Sequence, residues 1–282
     1  MTVDHNRQRK VAVINDYSSF GRCSLAAAVP LLAAMKVQCC PVPTAVFTNH
    51  TGFAQFSFAD MTDRLDAYLD DWRATGLAFS AIASGYLASA RQIDFVRRFV
   101  AAFGGGRTLV VVDPVMGDYG RFYSGFRREV AEGLRALLPL ADYLTPNLTE
   151  ACVLLGRPYE PSPGDEALHD MAAALCAPHA RGVVISGVPR DGRLLNYVYT
   201  PEGGGVKIDV EKIGPDRSGT GDVFAAVILG ALVNGQTLEA AVRRAVAFVS
   251  RAIRAAEDMK IPTTDGLPFE EVLSDLWSSS IR

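Results

Sequence analysis

Apolar residues gather along this chain in short runs that alternate with stretches of helical spacing. VAVIN (11–15) predicts a strand, DYSSFGR a small polar loop, and the next segment a helix to about Lys36. VQCCPVPTAVF (37–47) predicts an edge or irregular strand, because its prolines withhold ladder donors. Helical spacing over 60–75, a strand over 78–86 and a helix over 89–103 follow. TLVVVDPV (108–115) is the clearest buried strand, with β-branched residues in a row and an aspartate near its end. Next come a helix (127–138), a strand (141–145), helices (147–155 and 165–176) and a strand (182–187). Such alternation with short connections implies an α/β fold: a three-layer α/β/α sandwich on a mostly parallel central sheet. After Gly187, LLNYVYT and GVKIDVEKI around PEGGG predict a hairpin, and helical segments near 219–234, 236–256 and 268–277 close the chain. Neither a linker nor an internal repeat divides it. A single domain over 1–282 is expected, with 1–10 as a flexible N-terminal segment.

In an open parallel sheet, ligands bind beyond the carboxyl ends of the strands. Polar residues collect there: Asn15–Asp16, Asn49–Thr51, Ser84–Tyr86, Asp113–Asp118, Thr145–Glu150, Ser186 and the turn 219–222. That is more than solubility requires, and it points to an enzyme. Composition narrows the class. With 282 residues, 49% of them hydrophobic, the chain has ample material for a core. A net charge of -3 gives nucleic acid little to bind. No apolar run approaches the ~18 residues of a membrane span, and MTVDHNRQRK lacks a secretory apolar segment, so a soluble cytoplasmic protein is expected. The five cysteines form no C-x-x-C pair and are expected in the core.

Four strand-end motifs could carry chemistry. In RSGTGDVFAAVILG (217–230), Gly219 and Gly221 allow close backbone approach, and a buried apolar helix begins with N–H groups suited to an anion. Asp222 there reads either as a cap or first-turn acid, contributing about 1 kcal/mol, or as a base beside a phosphate. DPVMGD offers Asp113 and Asp118, either as a solvated turn or as hard oxygen ligands for Mg²⁺. TPNLTE fits a capping box between Asn147 and Glu150, though Glu150 would still point into the same crevice. TNHTGF supplies Thr51 as a substrate contact, with His50 better suited to a structural role than to catalysis. The turn matches neither a P-loop nor a dinucleotide fingerprint.

Taken in order, DYSSFGRCS, FTNHTGF, SGY, DPVMGD, LTPNLTEACVLLG and SGTGDVFAA resemble the ribokinase-like superfamily, and within it the pyridoxal (vitamin B6) kinases, over roughly 11–255. FTNHTGF and SGY are the parts that favour B6 kinases over sugar kinases. The resemblance implies ATP-dependent phosphorylation of the 5′-hydroxymethyl group of a B6 vitamer, in a homodimer. It makes Asp222 the base and the backbone of Gly219, Thr220 and Gly221 an anion hole for the γ-phosphate. Asp113, Asp118 and Glu150 would act on Mg²⁺–ATP directly or through water, with Asn147 and Ser186 along the nucleotide. Asp16 or Ser18, with Thr51 and Tyr86, would hold the ring; whether K⁺ assists is left open. Ser218 stands where some bacterial relatives have cysteine, so a covalent or lid role for that position is not implied. EKIGPDRSG would cover the nucleotide, with Arg217 either on phosphate or exposed. The rivals are a hydroxymethylpyrimidine kinase of the thiamin pathway and a non-catalytic nucleotide-binding module.

Overall fold

The computed structural model describes residues 4–177 and 179–277. Its elements run β1 (Lys10–Phe20), α1 (Ser24–Ala34), β2 (Gln38–Asn49), β3 (Phe58–Asp60), α2 (Leu65–Thr75), β4 (Ala81–Ser84), α3 (Ala90–Phe103) and β5 (Leu109–Val112). A small hairpin, β6 (Gly117–Asp118) and β7 (Arg121–Phe122), leads to α4 (Arg128–Gly133), β8 (Tyr143–Leu144), α5 (Leu148–Leu155) and α6 (Asp165–Cys176). The chain continues through β9 (Gly182–Arg190), β10 (Arg193–Thr200), β11 (Gly204–Glu211), α7 (Thr220–Val233) and α8 (Leu238–Asp258). The main sheet has the order β11-β10-β9-β8-β5-β4-β1-β2-β3. Its interior is parallel; β3 at one edge and β10–β11 at the other run antiparallel.

Strand alternation builds two cores. Val11, Val13, Ala81, Ala83 and Val111 face α1, α7 and α8, while Ala12, Ile14, Ile82, Val110 and Val112 face α2 to α6. These are the three expected layers. Fully buried side chains such as Phe99, Phe248 and Leu31 each contribute roughly 1.5–3 kcal/mol. Helix α7 is buried from Ala226 to Leu232, and Gly230 allows it to lie against Met35 at the end of α1. Its first turn is therefore fixed by its whole length.

Two differences from the sequence pattern bear on the site. The polar stretch DYSSF is strand rather than loop: β2 runs beside it to Asn49 and pairs with Tyr17, Ser18 and Phe20 after a register break between Asn15 and Tyr17. Pairing with a neighbour overrides local polarity here. The stretch after α4, Leu134–Leu140, is a 3₁₀ helix containing Pro139, as is Phe269–Leu276 near the C-terminus. The prolines of β2 fit where they fall, because β3 pairs only with Ala45, Val46 and Phe47 and leaves the Pro41–Pro43 edge unpaired. Ahead of β1, Asn6 bonds Gly76 and Ala78, and Arg9 bonds Asn234.

Candidate active site

Beyond the carboxyl ends of the parallel strands, the glycine turn meets the start of α1. Gly219 is the N-cap of α7 at φ 74°, and no side chain caps the helix. A Cβ at Gly219 would lie 2.0 Å from the Arg22 carbonyl oxygen. Only glycine permits both the left-handed backbone and that approach. Thr220 Oγ1 donates back to the Arg217 carbonyl at 2.9 Å and tightens the turn. The first N–H groups of α7 are thus free of side-chain caps and suited to an anion. Asp222 is the third helical residue, so the capping role left open by the sequence falls to Gly219. Its carboxylate instead lies by the Ser24 backbone, which favours its charged form, and faces Asn15 Nδ2 at 3.5 Å. Burial, reinforced by the charge of Asp16, pushes Asp222 up to about 7.

Three more acids approach from neighbouring strand ends. Asp113, just after β5, accepts from Thr145 Oγ1 at 3.1 Å. Glu150 completes a capping box with Asn147, Oε2 accepting the Asn147 N–H at 2.8 Å, while its Oε1 accepts the Met116 N–H at 3.1 Å. Burial raises both, reinforced at Asp113 by the charge of Asp222 and at Glu150 by the charge of Asp113. Asp118, on β6, is raised chiefly by burial and accepts its neighbour's N–H from Tyr119. A recess of about 40 Å³ lies between the sheet and helices α1 and α7, lined on its polar side by Asn15, Ser24, Asp113 and Asp222.

Among the described residues, no group of three or more His, Cys, Asp or Glu side chains is arranged to hold a metal ion directly. Both Glu150 oxygens already accept backbone N–H groups. The donor set suits a hydrated Mg²⁺ carried in with nucleotide phosphates, which needs only one or two carboxylates, rather than a dry three-carboxylate cage. A cation would also relieve the repulsion between Asp113 and Glu150.

The side proposed for the ring is built from β1, β2 and β4. Asp16 is buried, with Ser24 Oγ on one oxygen at 2.6 Å and Ser18 Oγ on the other at 3.2 Å. Ser18 and Asp16 are both buried, and the Ser18 hydroxyl donates to Asp16. Tyr86 packs edge-on against Phe47 and Phe126, and its N–H donates to Asn15 Oδ1 at 2.8 Å. Thr51 lies in the turn after β2, whose next residue, Gly52, comes close to Ser218 at the glycine turn. His50 holds that turn: Nδ1 accepts the Gly52 N–H at 3.1 Å, which leaves Nε2 to donate to the Thr264 carbonyl at 2.7 Å. Both ring nitrogens are engaged, as befits a structural histidine.

On the nucleotide side, Ser186 and Asn147 form a parallel bridge that joins adjacent strand ends, and Asn147 Nδ2 donates to the Gly117 carbonyl at 2.7 Å. The segment before the glycine turn meets the β6–β7 hairpin through Tyr119 Oη, which donates to Asp216 Oδ2 at 2.8 Å. Lys212 pairs with Asp216 at 3.1 Å and lies over the Tyr119 ring. Arg217 follows neither sequence-based alternative. Its side chain is 4% exposed and binds Glu257 at 2.6 Å and the Ile261 carbonyl at 2.7 Å. Two residues enter the site without a motif to announce them. Tyr123, just after β7, is partly exposed, and its phenol is raised by desolvation first and then by the charges of Glu150, Asp118, Asp222 and Asp113. Asn15 was visible as a polar strand end, but its link to Asp222 spans 207 positions.

Comparison with known proteins agrees with this geometry. The profile of the family described as phosphomethylpyrimidine kinase matches residues 25–266. A pyridoxine/pyridoxal/pyridoxamine kinase of Bordetella bronchiseptica is 30% identical, over 88% of this chain and 89% of its own. A proposed phosphomethylpyrimidine kinase of Bacteroides thetaiotaomicron, solved with pyridoxal, superposes with a TM-score of 0.92 at 38% identity over 96% of each chain. The pyridoxal kinase of Lactobacillus plantarum superposes at 0.87 with 27% identity, again over 96% of each.

Proposed function

From the premise that the chain belongs to the phosphomethylpyrimidine kinase family, we propose that it transfers the γ-phosphoryl group of ATP to the 5′-hydroxymethyl group of pyridoxal, pyridoxine or pyridoxamine. The observation that carries this reading is the half-buried Asp222 at a helix start without a side-chain cap, between the ring-side loops and the acids near β5, β6 and α5. Resemblance over 96% of the chain to a protein solved with pyridoxal supports the ring.

Each group has a task the chemistry asks for. The substrate hydroxyl stands between the N–H groups of Gly219, Thr220 and Gly221 and the carboxylate of Asp222. Asp222 accepts the hydroxyl proton as the phosphoryl group arrives, so a modest base suffices. The glycine-turn N–H groups stabilise charge on the moving phosphoryl oxygens without reorganising. Asp16, Thr51 and Tyr86 orient the ring, which converts the reaction into an effectively unimolecular step. Asn147 and Ser186 lie along the nucleotide, and Asp113, Asp118 and Glu150 would hold Mg²⁺, directly or through water. When bound, that ion neutralises phosphate charge that the acids would otherwise repel. We assign the chain to a homodimer and to the cytoplasm on resemblance; no helix among the described residues is long and apolar enough to cross a membrane.

A second reading, phosphorylation of hydroxymethylpyrimidine, is favoured by the family's own description. Side-by-side turnover of the three B6 vitamers and hydroxymethylpyrimidine with Mg²⁺–ATP separates the two. The reading given first expects a kcat/KM advantage of at least tenfold for a B6 vitamer; a preference for the pyrimidine overturns it. ATP consumption with neither substrate class would point to a different acceptor.

A further inference from the structure

One side chain outside the roles above touches three parts of the site. Asn15 lies on β1 just before the register break and is buried. Its Oδ1 accepts two backbone N–H groups, from Asp16 at 2.9 Å and from Tyr86 at 2.8 Å. Two N–H donors on one end of a carboxamide identify that end as the oxygen. The amide group must therefore turn its NH₂ the other way, and there Nδ2 meets Asp222 Oδ1 at 3.5 Å. Gly85 secures the orientation. A Cβ at that position would come within 2.5 Å of the Asn15 carboxamide, so the plane of the amide fits only against a glycine.

The surroundings of Asp222 give this contact its weight. Asp16 on β1 and Asp113 after β5 carry like charge, Cys23 before α1 is a buried thiol, and Tyr123 presents a phenol. Against these, two groups favour its charged form: the Ser24 backbone and the Asn15 amide, the latter within hydrogen-bond reach. Asn15 alone of the two is a side chain that a substitution can remove. At 3.5 Å the bond is long, and catalytic contacts of this kind commonly tighten once substrate is bound.

We propose that Asn15 is the positioning residue for phosphoryl transfer: its amide donates to Asp222 and fixes the carboxylate, while its carbonyl holds Tyr86 and Asp16 in register with that base. The inference rests on Asp222 being the base. One carboxamide then couples the ring side of the pocket to the proton acceptor. The other Asp222 oxygen is left to take the proton from the substrate hydroxyl. A displacement of the base by an ångström is enough to cost about a hundredfold in rate, so a fixed rotamer has direct kinetic value.

The test is a double-mutant cycle on the full chain with pyridoxal and Mg²⁺–ATP. Asn15→Asp keeps the size and an acceptor oxygen for Tyr86 and Asp16 but removes the neutral donor. It should lower kcat about 10- to 100-fold with KM for ATP within twofold of wild type. In an Asp222→Asn background the same change should alter the residual rate less than twofold, because effects that act through one group do not add. Should Asn15→Asp fold poorly, Asn15→Ala carries the same two expectations, with the melting temperature and ATP KM reporting the folded fraction. A kcat within twofold of wild type overturns the proposal, as does an equal loss in both backgrounds, which marks a merely structural role. If Asp222→Asn itself keeps near wild-type turnover, the base assignment fails instead, and that outcome is read from the single variant alone.

Discussion

Asp222 shows how position alone changes what a residue does. On spacing it is an ordinary first-turn acid; in the fold the cap is Gly219, and the carboxylate is buried beside Asp16 with a raised affinity for its proton. The proposed base must be ionised to work, so on that proposal the value of about 7 sets the acid limb of the reaction. We expect kcat/KM for pyridoxal to fall about tenfold per pH unit below pH 7 and to level above it. A profile flat to pH 5 would contradict this. The same turn makes a prediction about Gly219. An alanine there must take a left-handed backbone and drive its Cβ into the Arg22 carbonyl 2.0 Å away. Strain of about 1–2 kcal/mol plus displacement of the N–H groups should lower kcat at least tenfold with far-UV circular dichroism unchanged. Steady-state kinetics on Gly219→Ala checks it.

At the scale of elements, the strand-and-helix alternation was readable because apolar periodicity and strand-end polarity are local properties. DPVMGD and TPNLTE announced themselves through prolines that end strands and an asparagine that caps a helix, and Asn147 and Glu150 do form the capping box. What stayed hidden depends on partners far along the chain. Nothing within DYSSF says that β2 will run beside it to Asn49 and hold it extended. Tyr123 feels the charge of acids on other elements because the β6–β7 hairpin folds back, its N–H donating to the Met116 carbonyl. Arg217 is buried because Glu257, 40 positions later, ends up beneath it at the end of α8. Gly214 packs on the same glutamate, so the segment before the glycine turn is tied to α8 at two points. Arg217→Ala removes charged hydrogen bonds from a buried position. It should destabilise the chain by on the order of 2–3 kcal/mol and raise KM for ATP, both measurable on one preparation by thermal melts and kinetics. An unchanged melting temperature would mean that the anchor is dispensable.

Across the whole molecule, the cluster of Asp16, Asp113, Glu150 and Asp222 works against stability at the pH where it is useful. Burial raises all four, so the folded chain holds protons that the unfolded chain releases above about pH 4. Stability linked to Asp222 is fully present below that value and is lost as pH rises through about 7. Asp222→Asn should therefore raise the melting temperature of the ligand-free protein at pH 8 and change it little at pH 4; a lower melting temperature at pH 8 would contradict the linkage. Function of this kind is commonly held at the expense of stability. The central claim is that this stressed carboxylate is the proton acceptor in phosphoryl transfer to a B6 vitamer. The most direct measurement is pyridoxal turnover by Asp222→Asn, with ATP binding measured on the same sample. The account predicts a loss of about 10²–10⁴ in kcat with nucleotide binding retained; turnover near that of wild type would contradict it.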